Sequence, residues 1–370
     1  MMTDPSSTSF VSPPRPKRVL ITGISGQDGS YLAEKLVERG DDVWGLVRKT
    51  PPIDSWIAPL LHSEEGGRSR VQLVVADLCD SQSIRGVINQ VQPDEIYHFA
   101  AQSHVHLSYQ QPEQTIETIG LGTLRLLEAA LEYTPQTRFL LTSSSEIFGT
   151  DSAVPQNETI PLAPRNPYGI AKTFATHLVR YYREHHGMYT VNAICFNHES
   201  PRRGTSFVTR KITRQAARIH WGLEECLELG NLNSRRDWGF AGDYVDGMWR
   251  SLQADTAADY VFATGVTHSV RDFCDEVFRT IRMPLTWHGT GRDETGVDEN
   301  GIVRVRVDSR FFREDEPHLF VGDASRAAQV LNWQPTTSFQ QLVQMMVEAD
   351  LARECPSNDV IPEGKESHQP

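Results

Sequence analysis

The chain has 370 residues, a net charge of −12, and charged and hydrophobic fractions ordinary for a globular protein. That length allows one large domain or two smaller ones with ample core. The acidic balance, with no dense basic run, excludes nucleic acid and an anionic membrane surface as partners; a dinucleotide or nucleotide-sugar site needs only a few local arginines. Cys79, Cys195, Cys226, Cys274 and Cys355 are scattered without a CxxC. That argues against a disulfide framework or a zinc site and fits a reducing cytoplasm. No apolar run approaches the ~18 residues of a membrane span.

Met1 to Pro16 is rich in Ser, Thr and Pro with no apolar core, so it reads as a disordered tail and not a signal peptide. Arg18-Val-Leu-Ile-Thr22 is a short apolar run suited to a buried parallel strand. Gly23-Ile-Ser-Gly26-Gln-Asp-Gly29 follows at once. A helical pattern then runs from Ser30 to Arg39 and stops at Gly40, and Asp42 to Val47 is a second strand. Strand, glycine loop, helix and strand form the opening unit of a doubly wound dinucleotide-binding sheet. An acidic residue ending the second strand would hold the ribose of NAD. Arg48-Lys49 stands there instead, which suits the 2′-phosphate of NADP or is simply a solvated basic pair.

Pro51 to Arg70 is an irregular insert. Val71 to Val75 is a third strand ending in Ala76-Asp77-Leu78, where Asp77 could reach the adenine or cap the helix near Ser81. A fourth strand, Asp94 to Ala101, delivers Gln102 and Ser103 to the same sheet edge. His104 and His106 follow, but no carboxylate or cysteine ligand accompanies them, so they read as loop residues and no metal is expected. Gly120 to Tyr133 is helical. Arg138 to Thr142 is a fifth strand, ending in Ser143-Ser144-Ser145-Glu146 where ligands meet open α/β sheets.

Asn166-Pro-Tyr168-Gly-Ile-Ala-Lys172 then opens a helix running to about His185, with Asn166 as cap and Pro167 as its first residue. Tyr168 and Lys172 share one face. A nearby ammonium favours the phenolate and lowers the tyrosine pKa, which makes Tyr168 a candidate acid/base for alcohol oxidation. Alone, such a pair is commonplace; the glycine loop and the serine-glutamate run give it weight. After the strand Val191 to Phe196, the stretch Asn197 to Gly204 is polar and is expected to lie outside the core. Val208 to Trp221 reads as a helix with Arg210, Lys211 and Arg214. Leu227 to Asn231 and Tyr260 to Thr264 read as strands, 289 to 307 as a loop and hairpin, and Ser338 to Ala352 as a last helix before a polar tail.

Longer runs carry a specific resemblance: Ile21 to Glu34, Ala101 to Val105, Phe196 to Gly204, Phe207 to Lys211, Leu229 to Leu232 and Arg236 to Gly239. Through these, from about Lys17 to Ala352, the chain resembles the extended short-chain dehydrogenase/reductases and, within them, the GDP-mannose 4,6-dehydratase family. The resemblance implies a two-part α/β fold: a doubly wound parallel sheet of the Rossmann type over 17–196, and a smaller substrate domain over 197–354, with about 237–265 returning to the sheet. Residues 1–16 and 355–370 are expected to be disordered tails. It also implies C4 oxidation of the hexose of GDP-mannose by NADP, loss of water across C5 and C6, and return of hydride to C6. Tyr168 would be the base, Lys172 its partner, Glu146 the group that removes the C5 proton, and Ser144 the hydroxyl at the keto oxygen, where the family has threonine.

By the same resemblance, cofactor contacts are Gly23, Gly26, Gln27, Asp28, Arg48, Asp77, Leu78, Ala101, Ser103, Tyr168, Lys172, His198 and Arg203. Substrate contacts are Ser103, Asn197, Lys211, Arg236, Arg313 and Glu316. Holding a diphosphate calls for such basic side chains. A homodimer or homotetramer in the cytoplasm is expected. The chain departs from the family pattern over Lys49 to Trp56, near Gln114 and at Phe311-Phe-Arg-Glu. These departures leave open another GDP-linked sugar. A related reductase or epimerase, and a non-catalytic NADP sensor on the same fold, are the alternatives.

Overall fold

Alternation along the first strand sets the architecture. Val19 and Ile21 face one hydrophobic cluster, while Leu20 between them faces another. A strand buried on both sides needs helices on both faces of its sheet. The computed structural model describes residues 16–52, 54–61, 70–149, 154–312 and 320–356. Six strands come first: β1 (Arg18–Thr22), β2 (Asp42–Val47), β3 (Val71–Val75), β4 (Glu95–His98), β5 (Arg138–Ser144) and β6 (Thr190–Cys195). The chain leaves this sheet for β7 (Asn197–Glu199), β8 (Leu227–Leu229) and β9 (Arg235–Phe240), and returns as β10 (Asp259–Phe262). It then adds β11 (Thr267–Ser269), β12 (Thr286–His288), β13 (Thr295–Val297) and β14 (Val303–Val307).

The helices are α1 (Gln27–Glu38), α2 (Ala58–Leu61), α3 (Ser81–Val91), α4 (Val105–Gln110), α5 (Pro112–Ile116) and α6 (Gly122–Tyr133). After them come α7 (Pro167–His186), α8 (Val208–His220), α9 (Ala241–Gln253), α10 (Val270–Thr280), α11 (Ser325–Leu331) and α12 (Phe339–Glu354). The main sheet has the order β10-β6-β5-β4-β1-β2-β3, and every pairing in it is parallel. Strand order reverses between β1 and β4. Their carboxyl ends, at Thr22 and His98, therefore open the crevice where ligands enter such sheets. One face is covered by α1 and α9, through Leu32, Leu36, Tyr244 and Met248. The other is covered by α3, α6 and α7, through Ile84, Leu126, Ala175 and Val179. A separate core joins α8, α10 and α12 around Ile212, Phe273 and Met346.

Four expectations change. Helix α1 begins at Gln27, three residues before Ser30, because the glycine motif itself forms its first turn. Gly29 lies inside that turn, where a Cβ would stand 2.4 Å from the Gly23 carbonyl oxygen. Strand β4 ends at His98, short of Ala101. His104 and His106 are not in a loop: His104 caps α4 and His106 lies on it. Finally, the polar stretch after Phe196 is largely interior. Asn197–Glu199 pairs with β9 in a three-stranded sheet, and His198, Glu199 and Ser200 are buried. His198 meets Asp28, Glu199 accepts the Thr209 hydroxyl and Ser200 donates to Gln27, partners that sequence polarity alone does not reveal. Among the described residues no helix is long and apolar enough to cross a membrane, and no metal-ligating cluster occurs.

The last helix is pinned by a buried ion pair. Arg210 lies 2.8 Å from Asp350, whose other oxygen accepts the Thr213 hydroxyl at 2.7 Å. Burial pushes the Asp350 pKa up, against the pull of Thr213 and Arg210. Removing one partner leaves a buried charge uncompensated. Asp350→Ala is therefore expected to lower stability by about 3 kcal/mol in denaturant unfolding, whereas changing both partners to apolar residues of similar volume should be far milder.

Candidate active site

The site is built where the end of β5 meets the start of α7. Ser144 ends the strand with its hydroxyl accepting the Glu146 N–H at 3.3 Å, so Glu146 sits on a tight 3-10 turn instead of continuing the strand. Asn166 caps α7, its Oδ1 accepting the Gly169 N–H at 2.8 Å, and Pro167 needs no donor partner in the first turn. Gly169 has no room for a side chain: a Cβ there would lie 2.6 Å from the Glu146 carbonyl oxygen. The first turn of α7 therefore rests directly on the Glu146 backbone.

This contact brings Ser144, Glu146, Tyr168 and Lys172 together. The Ser144 hydroxyl and the Glu146 and Arg203 charges all act on the Tyr168 phenol. Burial pushes the Tyr168 pKa well up; Ser144 and Arg203 oppose this, and Glu146 adds to it. The expectation of a lysine-lowered phenol is thus corrected. Lys172 stands 5.8 Å from the Tyr168 ring centroid and gives a 2.6 Å hydrogen bond to the Thr142 carbonyl. Burial lowers the Lys172 pKa to about 8. An ammonium has three donors, and among the described residues one is engaged, which leaves two for a ligand.

Two partners of this site were not evident in the sequence. Ser108 on α4 accepts the Tyr168 N–H at 3.2 Å and donates to Val105 O at 2.6 Å, satisfying an orphan donor at the start of α7. His98 lies between Thr22 and Thr123, at 2.8 and 3.2 Å. Burial and the Lys172 charge hold its pKa at about 3, so it is neutral. Serine and threonine partners brought in from other strands and helices leave no sequence pattern.

The glycine loop fits a dinucleotide. Gly23 has φ +72°, and a Cβ there would meet Ala100 N at 2.9 Å. Gly26 precedes α1 with no side-chain cap, so the amides of the first turn face outward without a competitor. Arg48 and Lys49 are exposed at the end of β2, with no ion pair among the described residues. Asp77 is exposed and Leu78 buried beyond β3. The cap of α3 is Asp80, which accepts from Gln82 and Ser83, and Asp77 instead accepts Cys79 N at 2.9 Å. Ala101 and Ser103 follow β4, with Ser103 exposed.

Gln27, Asp28 and His198 engage one another. His198 Nε2 lies 3.0 Å from Asp28 Oδ2 and its Nδ1 2.8 Å from Phe196 O. Two acceptors require a donor on each nitrogen, which is the imidazolium. Burial disfavours that charge, but Asp28 raises the His198 pKa; burial likewise opposes the Asp28 carboxylate, and His198 lowers its pKa. Gln27 donates to His198 O at 3.0 Å and accepts the Ser200 hydroxyl at 2.8 Å. The pair couples α1 to β7. Arg203 lies 3.1 Å from Glu199, with its guanidinium 3.7 Å over the Phe207 ring.

Asn197 lies on β7 and Arg236 on β9, in one small sheet. Lys211 borders a cavity of about 620 Å³ with Glu228, Arg306, Arg310 and Phe311. Its ammonium is 4.1 Å from the Phe311 ring centroid and donates to Glu228 O at 2.6 Å. Neither Asn197, Arg236 nor the four residues at the β5–α7 junction line that cavity. Arg313 and Glu316 lie outside the described residues. Trp56 packs under Arg353 and Arg202 at 4.5 and 5.5 Å.

The sequence profile described as GDP-mannose 4,6 dehydratase matches residues 20–346. The chain is 47% identical over 344 residues to the GDP-mannose 4,6 dehydratase of Drosophila melanogaster, covering 91% of this chain and 87% of that protein. It is 45% identical over 347 residues to the Homo sapiens protein of the same name, covering 91% and 92%. Among solved structures, RMD from Pseudomonas aeruginosa complexed with NADPH superposes with a TM-score of 0.71 at 24% identity, over 91% of this chain and 99% of that one. At that identity the likeness shows the fold.

The buried ammonium has a consequence for stability. A lysine that loses its proton near pH 8 instead of 10.5 costs the folded state roughly 3 kcal/mol at neutral pH. The unfolded chain holds the extra proton between those values, so this penalty is complete below pH 8 and fades as the pH rises toward 10.5. Lys172→Met is expected to stabilise the fold at pH 7 by up to that amount in urea unfolding, to remove this pH-dependent gain, and to impair dinucleotide binding.

Proposed function

The chain belongs to the GDP-mannose 4,6-dehydratase family, and we propose from that premise that it dehydrates GDP-mannose to GDP-4-dehydro-6-deoxy-D-mannose with NADP. The observation that carries this reading is a carboxylate, Glu146, held beside the Tyr168 phenol at the carboxyl edge of the sheet. A reductase or epimerase of the same fold has no use for a carboxylate that eliminates water at C6. The glycine loop, the first turn of α1 and the exposed Arg48 and Lys49 would hold NADP, with Arg48 toward the 2′-phosphate. When bound, NADP supplies acceptance of hydride from C4 and its return to C6, so no reduced cofactor accumulates.

Tyr168 takes the proton of the C4 hydroxyl, and the Ser144 hydroxyl supports the oxygen that becomes the keto group. Ionisation of the phenol is favoured by the Ser144 hydroxyl and the Arg203 charge, because burial otherwise keeps it protonated. The keto group acidifies C5. Glu146 removes the C5 proton, the electrons form the C5–C6 double bond, and the C6 hydroxyl leaves as water with the proton from Glu146. After hydride reaches C6, the proton held by Tyr168 returns to C5, so the protein ends unchanged. Lys211 and the cavity beside it supply a cation and an aromatic ring for the nucleotide portion. Asn197 and Arg236 are assigned to the substrate by the same reading, and so are Arg313 and Glu316. Association with a second copy is supported by the exposed apolar side chains of Ile170, Phe174 and Tyr181 along α7, beside Ile116 of α5.

Incubation with GDP-mannose and catalytic NADP is expected to yield a product lighter by one water, with no net NADPH. An unchanged nucleotide sugar would overturn the reading. Glu146→Gln is expected to bind NADP normally and reduce it, yet lose water at least ~100-fold more slowly. Arg48→Ala is expected to weaken NADP by roughly 10-fold or more, measured by titration calorimetry, and NAD hardly at all.

A further inference from the structure

Asn166 does more than cap a helix. Its side chain is 7% exposed, and both ends of its amide are engaged. Oδ1 accepts the Gly169 N–H at 2.8 Å, and Nδ2 donates to Glu146 Oε2 at 2.7 Å. The orientation is forced. A backbone N–H can only donate and a carboxylate can only accept, so the oxygen faces Gly169 and the nitrogen faces Glu146. Among the described residues no hydrogen bond reaches the other carboxylate oxygen, Oε1.

We infer that Asn166 is a positioning residue for the elimination step: it ties the helix that carries Tyr168 and Lys172 to the carboxylate that removes the C5 proton, and leaves Oε1 to take it. This rests on the dehydration reading above. The physical basis is registration. Tyr168 and Glu146 act on neighbouring carbons of one hexose, so their relative placement must hold through both steps. The backbone contact at Gly169 fixes the turn beneath Glu146. It does not fix the side chain, which turns about its own bonds; the Asn166 amide does. A misplacement of ~1 Å at a reacting group can cost about 100-fold in rate.

The inference separates two partial reactions that a simple cap would affect together. Asn166→Ser keeps a cap oxygen, since serine is among the preferred capping residues, but has no second group to reach Glu146. Asn166→Asp also caps the helix, and it places an acceptor against Glu146 in place of the donor. In single-turnover experiments with NADP and GDP-mannose, NADPH formation reports C4 oxidation. Deuterium uptake from heavy water at C5 reports proton removal by Glu146. For Asn166→Ser, NADPH formation is expected to stay within about threefold of the native enzyme, while deuterium uptake and water loss fall about 100-fold and enzyme-bound NADPH accumulates. Asn166→Asp should show the same separation, at least as strongly, because its like charge faces Glu146. Equal loss of both partial reactions, or loss of neither, would overturn the inference and leave Asn166 as a cap alone. The native protein in the same experiment distinguishes the two failures. If it loses no water from GDP-mannose, the dehydration reading itself is overturned, and the inference with it.

Discussion

The structure depends on one close approach, between the turn after β5 and the first turn of α7. Only glycine at 169 permits it, since any Cβ would meet the Glu146 carbonyl. Around it three side-chain bonds fasten the helix to the strand: Lys172 to Thr142 O, Ser143 to Thr176, and Asn166 to Glu146. The side chains of Ser144, Glu146, Tyr168 and Lys172 then occupy one edge of a seven-stranded parallel sheet, at the end of a buried strand and the start of a helix packed on it. Rigid elements of this kind hold reacting groups more accurately than loops do.

Charge inside this site is arranged so that few groups stand alone. The buried phenol and the buried ammonium are each shifted toward neutrality by desolvation. Asp28 and His198 take the opposite course and keep both charges by pairing. That pair joins α1, which starts at the glycine loop, to β7, which opens the second half of the chain. Gln27 and Ser200 strengthen the same seam. The residues that border the glycine loop therefore also join the two halves of the chain.

The second half is held by separate means. Its core of Ile212, Trp238, Phe273 and Met346 shares no residue with the cores of the main sheet. Arg202 bridges back to α1 through Ser30, Glu34 and the Tyr31 ring, and Arg353 on α12 covers Trp56. Trp56 is thus held by cations from both ends of the second half.

Much of the first half was decided by local pattern. The bounds of β1, β2 and β3, the glycine loop, and the cap and first residue of α7 all follow from apolar runs and from the backbone demands of glycine, proline and asparagine, because these act within a few residues. The grouping of Ser144, Glu146, Tyr168 and Lys172 was legible through motifs. Tertiary structure decided the rest, since it turns on which distant groups meet. His198, Glu199 and Ser200 look like surface residues until Asp28, Thr209 and Gln27 are brought to them. The direction of the Tyr168 shift depends on burial, which spacing to a lysine cannot supply. The sequence assigns Asn166 to the helix it begins. Only the folded chain carries Glu146 to the other end of the same amide.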